Sequence, residues 1–256
     1  MGSLDGKVAL ISGTAGGMGR AAAIEFARQG ALVAGCDIDA EGDAETAELV
    51  RGAGGTMVSL APLDLTVEGE AQRWVELAVR ELGGVDVLYN NASVARVGPW
   101  DELTYEEWRR SLVYELDIVY LSTKAAWAAL VARGGGAIIN VASVSAKRGA
   151  SFVHQHAHGA AKGGVLAFTA HLVVSGAPHN IRANSISPGM IRTPATSPIL
   201  DDPDSPLHEL LQVTPSRRAG EPEEVARLAA FLASDAAPYI NGADIAIDGG
   251  ITAITP

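Results

Sequence analysis

The sequence predicts an α/β protein built on one doubly wound parallel sheet. Seven short apolar runs alternate with amphipathic stretches along its 256 residues. The runs are continuously hydrophobic rather than alternating, the pattern of strands covered on both faces. Strand and helix follow one another at the spacing of right-handed crossovers, which makes neighbouring strands parallel. The expected strands are Lys7–Ser12, Ala31–Asp37, Met57–Pro62, Val85–Tyr89, Ala137–Ala142, Ile181–Ser187 and Asp244–Ile247. Between them the helical pattern covers Met18–Gln29, Ala40–Gly52, Thr66–Leu82, Thr104–Arg133, Gly159–Ser175 and Glu221–Ser234. No repeat or low-complexity linker interrupts the series, so residues 1–256 read as a single domain. Only the stretch from about Met190 to Gly220, with its PATSPILDDPDSP, lacks regularity. A segment that long in a compact domain is functional or mobile, and it reads as a substrate lid.

Composition excludes several classes of function. The net charge is −11, from 19 basic and 30 acidic residues, which opposes binding to a phosphate backbone. The single cysteine, Cys36, rules out a disulfide framework or a Cys-rich zinc site. No run approaches the roughly 20 apolar residues of a membrane span, and MGSLDGKVALISG lacks the features of a signal peptide. The expectation is a cytoplasmic protein with neither nucleic acid nor membrane as partner.

The turn Ser12-Gly13-Thr14-Ala15-Gly16-Gly17-Met18-Gly19 directly follows the first strand and opens the first helix. Glycines there let the backbone bend tightly and approach a pyrophosphate, whose charge the helix N-terminal N–H groups meet. Asp37 ends the second strand, where a carboxylate hydrogen-bonds ribose hydroxyls and repels a 2′-phosphate, favouring NAD over NADP. The other reading of Asp37 is a cap on the following helix.

The spacing Gly13-xxx-Gly17-x-Gly19 resembles the TGxxxGxG turn of the short-chain dehydrogenase/reductase family. Asn90-Asn91-Ala92-Ser93 stands where that family has NNAG. Asn184-Ser185-Ile186-Ser187-Pro188-Gly189, with Ile191 and Thr193, is similar to its N-x-x-x-PG-x-x-x-T stretch, and Asp248-Gly249-Gly250 to its closing DGG. The resemblance covers nearly the whole chain and implies a Rossmann-like fold. It also implies a nicotinamide site formed by Gly13, Gly17, Met18, Gly19, Asp37, Asp64, Leu65, Asn91, Lys162, Pro188, Gly189, Ile191 and Thr193. Within it, Asp64-Leu65 occupies the adenine-contacting position. The family further implies a homotetramer or homodimer, which alanine-rich faces such as Ala125–Val131 allow.

Members of that family work with an Asn-Ser-Tyr-Lys set, and here the set is altered. Ser143, ending Ile139-Asn140-Val141-Ala142-Ser143, fits the serine, and Lys162 fits the lysine of YxxxK. His158 stands at the tyrosine position and Glu115 at the asparagine. The two changes read as coupled. A phenol gives up its proton to become an anion, whereas an imidazole that accepts one becomes a cation beside Lys162. Two like charges ~6 Å apart repel by about 3 kcal/mol at an effective dielectric near 20. A carboxylate at Glu115 offsets that repulsion and keeps the protonated ring accessible. The alternative is that His158 is a drifted remnant and Glu115 a solvated helix residue.

His154, His156 and His158 alternate, as three ligands on a strand would, but the stretch leads into a helix, where i, i+2 and i+4 share no face. No metal site is expected, and His154 and His156 are expected to line the substrate pocket. Ser93 in place of glycine reads as a minor packing change near the nicotinamide. The leading expectation is an NAD(H)-dependent oxidoreductase that interconverts a small to medium, largely apolar secondary alcohol and its ketone. Ser143, His158, Lys162 and Glu115 would be its catalytic residues. The alternatives are a non-redox enzyme (dehydratase, hydrolase or isomerase) on the same scaffold, or a nucleotide-binding protein without turnover.

Overall fold

The structure, a computed structural model, describes residues 2–149 and 153–254. The strands are β1 (Val8–Ser12), β2 (Leu32–Cys36), β3 (Thr56–Leu60), β4 (Val87–Asn90), β5 (Gly136–Val141), β6 (Ile181–Pro188) and β7 (Asp244–Ile247). All pair in parallel in the order β3-β2-β1-β4-β5-β6-β7. VALIS of β1 is buried at every position, as a central strand covered on both faces requires. The strand order reverses between β1 and β4, and an open α/β sheet places its crevice at the carboxyl ends beside such a switch.

The helices are α1 (Gly17–Arg28), α2 (Ala40–Gly52), α3 (Glu70–Leu82), α4 (Tyr105–Leu112), α5 (Ile118–Ala132), α6 (His156–Gly176), α7 (Ser197–Leu200), α8 (Pro206–Val213) and α9 (Pro222–Ala233). On one face of the sheet α1 packs against α9 through Ala22, Ala23, Phe26, Ala226 and Ala229. These mostly small side chains let the two helices lie close. On the other face Trp74, Leu130, Val165 and Leu172 bring α3, α5 and α6 onto Leu88 and Ile138. A buried polar chain joins α5 and α6 through the sheet. Asn90 Nδ2 donates to Thr123 Oγ1 (3.2 Å) and Asn140 Oδ1 (2.8 Å), and Asn140 Nδ2 donates to Thr169 Oγ1 (2.9 Å).

Four differences from the sequence expectation have local causes. The helix expected from Thr66 starts at Glu70, because Asp64 Oδ1 accepts the Thr66 N–H in a turn and Gly69 adopts φ +90°. The stretch 104–133 begins with a Thr104/Glu107 capping box, as its sequence suggests, but a π-helical turn at Val113–Asp117 splits it. Between residues 190 and 220 lie α7 and α8, packed over Leu200, Leu211 and Ala219, with the ends joined where Ile191 pairs Gly220. The segment His156–His179 has the length and mean hydropathy, 1.2, of a membrane span, which a search for apolar runs passes over. Val165, Leu166, Phe168, Leu172, Val173 and Val174, with the alanines, supply that hydropathy, and the buried face, which carries Lys162, packs on β5 and β6.

The glycine-rich turn folds back on α1. A Cβ on Gly19 would lie 1.9 Å from the Gly13 carbonyl oxygen and 2.7 Å from Asn91 Nδ2, and neither neighbour can retreat. Gly19→Ala is therefore expected to cost about 2 kcal/mol or more, as overpacking against a fixed backbone does. The check is a urea titration, in which the midpoint falls at unchanged slope.

Candidate functional site

A groove of about 350 Å³ opens at the carboxyl ends of β1, β2 and β4. Gly13, Gly17 and Met18 form its floor, Asp37 and Asp64-Leu65 one wall, and Asn91 and Thr193 the other. The floor is rigidly supported. Asn91 Nδ2 donates to the Ser12 carbonyl (3.0 Å), and Ser12 Oγ accepts the N–H groups of Asn91 (3.0 Å) and Ala92 (3.1 Å). Gly13 and Gly17 take φ +76° and +52°, a region that favours glycine. Helix α1 begins with no side-chain cap and no acidic residue in its first turn, so its N-terminal N–H groups remain available to an anion.

Asp37 does not cap α2; Asp39 does, accepting from Glu41 N and Gly42 N. Asp37 Oδ2 instead accepts the Ala15 N–H (2.8 Å) and Oδ1 the Asp39 N–H (3.0 Å), which fixes the carboxylate against the turn. Arg20 Nη2 donates to the Ala15 carbonyl (2.6 Å), the Gly42 carbonyl (3.2 Å) and Glu45 (2.7 Å), while its Nε is buried and has no partner among the described residues. Among the described residues the groove lining includes no Lys or Arg.

Several expected residues lie outside this lining. Gly19 sits beneath the turn, and Ile191 is buried in the core, where its carbonyl accepts Thr196 Oγ1 (2.6 Å). Pro188 ends β6, and a Cβ on Gly189 would meet Asp248 at 2.8 Å, so these two shape the chain path to Thr193. Sequence reasoning missed Ile38, Tyr114 and Ile118, which line the groove. Ile38 could have been found as the neighbour of a strand-end carboxylate, and Tyr114 as the neighbour of Glu115.

Ser143, His158, Lys162 and Glu115 come from three elements. Ser143 follows β5, and its Oγ accepts the Ser145 N–H (3.1 Å). His158 lies in the first turn of α6, with Lys162 one turn further along. Glu115 projects from the π-helical turn and is completely buried, so it is not a solvated helix residue. A π turn inserts one extra residue into a helix and so re-aims a side chain. Glu115 Oε2 lies 2.5 Å from His158 Nδ1 and 4.0 Å from Lys162 Nζ. With Glu115 ionised, its oxygen accepts, so Nδ1–H donates and the Nε2 lone pair is free. Lys162 Nζ also donates to the Val141 carbonyl (2.9 Å). Burial pushes the Lys162 ammonium below the usual lysine range, and the Glu115 carboxylate pulls it back only in part. At an effective dielectric near 20 and this spacing, their attraction is about 4 kcal/mol.

His154 precedes α6 and His156 opens it. Their rings stack at 5.8 Å, and Trp100 meets His156 edge-on at 5.2 Å. They line a second groove with Ser145, Lys147 and Gln155; Ser143, His158, Lys162 and Glu115 line neither this groove nor the one over the glycine-rich turn. In the first turn of α6, residues 156 and 158 point about 200° apart. Residues 150–152, within the stretch between Ser143 and His158, lie outside the described residues.

Comparison with known proteins agrees with this architecture. A family described as enoyl-(acyl carrier protein) reductase matches residues 13–252. D-threitol dehydrogenase of Mycolicibacterium smegmatis is 37% identical over 97% of this chain and 94% of its own length. A short-chain type dehydrogenase/reductase from Mycobacterium marinum superimposes with a TM-score of 0.92 at 34% identity, covering 98% of this chain and 97% of the other. A further solved structure, from Agrobacterium tumefaciens, holds bound NADP, with a TM-score of 0.86 at 30% identity and 98% coverage of both chains. Sheet order, glycine-rich turn and full-length similarity converge: the chain belongs to the short-chain dehydrogenase/reductase family, whose members are oxidoreductases that use nicotinamide cofactors.

Proposed function

We propose that the protein is an NAD(H)-dependent oxidoreductase that interconverts a secondary alcohol and a ketone, with His158 as general acid and base. The observation that carries this reading is the 2.5 Å contact between His158 Nδ1 and a wholly buried Glu115. A bound nicotinamide supplies the acceptor or donor of the hydride, and the chain supplies position and proton handling. His158 takes the alcohol proton at Nε2 during oxidation and returns it during reduction. Ser143 Oγ holds the substrate oxygen, and Lys162 binds the nicotinamide ribose. Residues 190–220 act as the lid of a single domain.

Glu115 balances the charge that His158 acquires. An imidazolium in the first turn of α6 faces the positive end of the helix dipole, worth about 0.3–1 kcal/mol against it, and the Lys162 ammonium adds to the opposition. A carboxylate in contact with the ring reverses the sum. The choice of NAD over NADP is supported by the fixed Asp37 carboxylate and a lining that includes no Lys or Arg among the described residues. A 2′-phosphate there would meet an anion with no cation to compensate it.

Absorbance at the NADH band with a panel of secondary alcohols tests the activity. Reduction of NAD⁺ in clear preference to NADP⁺ is expected. Product formed without redox change would favour the non-redox alternative, and nucleotide binding with no turnover would favour a binding protein. The proton role has its own test. Oxidation requires the unprotonated ring, so kcat/KM rises with pH and then levels. Glu115→Gln removes the counter-charge of the imidazolium, so this acidic limb moves to lower pH by about one unit or more. In the reductive direction the fall in rate with rising pH likewise begins earlier. A superimposable profile would contradict the assignment.

A further inference from the structure

We infer that Ser93 is a positioning residue of the proton-handling group, an inference that rests on the proposed role of His158 and Glu115. Ser93 follows β4 and lines the groove. Its Oγ donates to Glu115 Oε2 at 3.1 Å, the same oxygen that receives His158 Nδ1 at 2.5 Å. The other carboxylate oxygen, Oε1, is buried and has no partner among the described residues. Both donors thus converge on one oxygen, and the hydroxyl fixes which of the two faces the histidine.

Three positions that depart from the family pattern therefore form one hydrogen-bonded unit. A glycine at position 93 offers no donor, and it would leave the carboxylate held by His158 alone within hydrogen-bond distance. Ser93 joins the unit to the groove wall, so the orientation of His158 is referenced to the surface on which the nucleotide lies.

The hydroxyl also tunes proton affinity, in a direction that can be stated. Its hydrogen bond is strongest when Glu115 carries its full negative charge, beside a neutral imidazole. Once the ring is protonated, the carboxylate charge is partly neutralised and the same bond weakens. Ser93 consequently favours the unprotonated ring. The charged or titratable groups within ion-pair distance of Glu115 among the described residues are His158 and Lys162, both from α6. The β5 end contributes the Val141 carbonyl that anchors Lys162, and the β4 loop contributes Ser93.

The test is the pH profile of kcat/KM for alcohol oxidation in wild type, Ser93→Ala, Ser93→Thr and Glu115→Gln, with thermal unfolding as a check on folding. Ser93→Ala is expected to lose about tenfold in kcat/KM, the size of one hydrogen bond to a charged group. Its acidic limb should move up in pH, opposite to that of Glu115→Gln, while Ser93→Thr, which keeps the hydroxyl, restores both properties. A limb that stays in place in Ser93→Ala while that of Glu115→Gln moves would overturn the role of Ser93 alone. Limbs unmoved in both variants would overturn the His158–Glu115 reading itself.

Discussion

A carboxylate with no solvent exposure must be balanced by its neighbours, and Glu115 is such a group. Moving an unpaired carboxylate out of water costs several kcal/mol even after relaxation. Its partners are Lys162 at 4.0 Å, His158 at 2.5 Å and Ser93 at 3.1 Å. The dependence is mutual, because Lys162 is buried as well and its ammonium is disfavoured there. Glu115 and Lys162 together form a near-neutral pair. When His158 takes a proton the group gains one net positive charge, which the Glu115 oxygen at 2.5 Å holds in place of solvent.

The scaffold turns this balance into a site. The polar chain Asn90–Asn140–Thr169, with Thr123, ties α5 and α6 to the middle of the sheet. The helix carrying His158 and Lys162 is thereby held in register with the strands that lead into Ser143 and Asn91. On the nucleotide side, Ser12 and Asn91 bridge β1 and β4 at the reversal of strand order. Asp37 is pinned by two backbone N–H groups, and such a carboxylate needs no reorganisation to receive a pair of hydroxyls. Position is thus set by the sheet edge, and charge by the buried group beneath it.

Much of this was legible in the sequence, for physical reasons. Buried strands such as VALIS announce themselves because both faces must be apolar, and glycines at positions 13, 17 and 19 mark a turn where a side chain would collide. Asp244–Ile247 and Ala40–Gly52 fall where the pattern puts them. The π turn at Val113–Asp117 was not legible, because it adds one residue without changing the apolar periodicity around it. The helices α7 and α8 were hidden by their proline-rich and aspartate-rich surroundings. Pairing Glu115 with His158 followed from the family resemblance that placed both residues and from charge logic between them, whereas Ser93 looked inert. Only the geometry brings its hydroxyl to the shared oxygen. The helical turn sends His156 away from His158, into a groove shared with His154 and Gln155.

The central claim is that residues 115 and 158 act as a unit, and a double-mutant cycle tests it most directly. The variants are His158→Tyr, Glu115→Asn and their combination, which restores the tyrosine and asparagine of the family pattern. If the residues are coupled, each single change lowers kcat/KM by about 100-fold or more, and the double variant recovers to within about tenfold of wild type. Losses that simply multiply in the double variant would contradict the account.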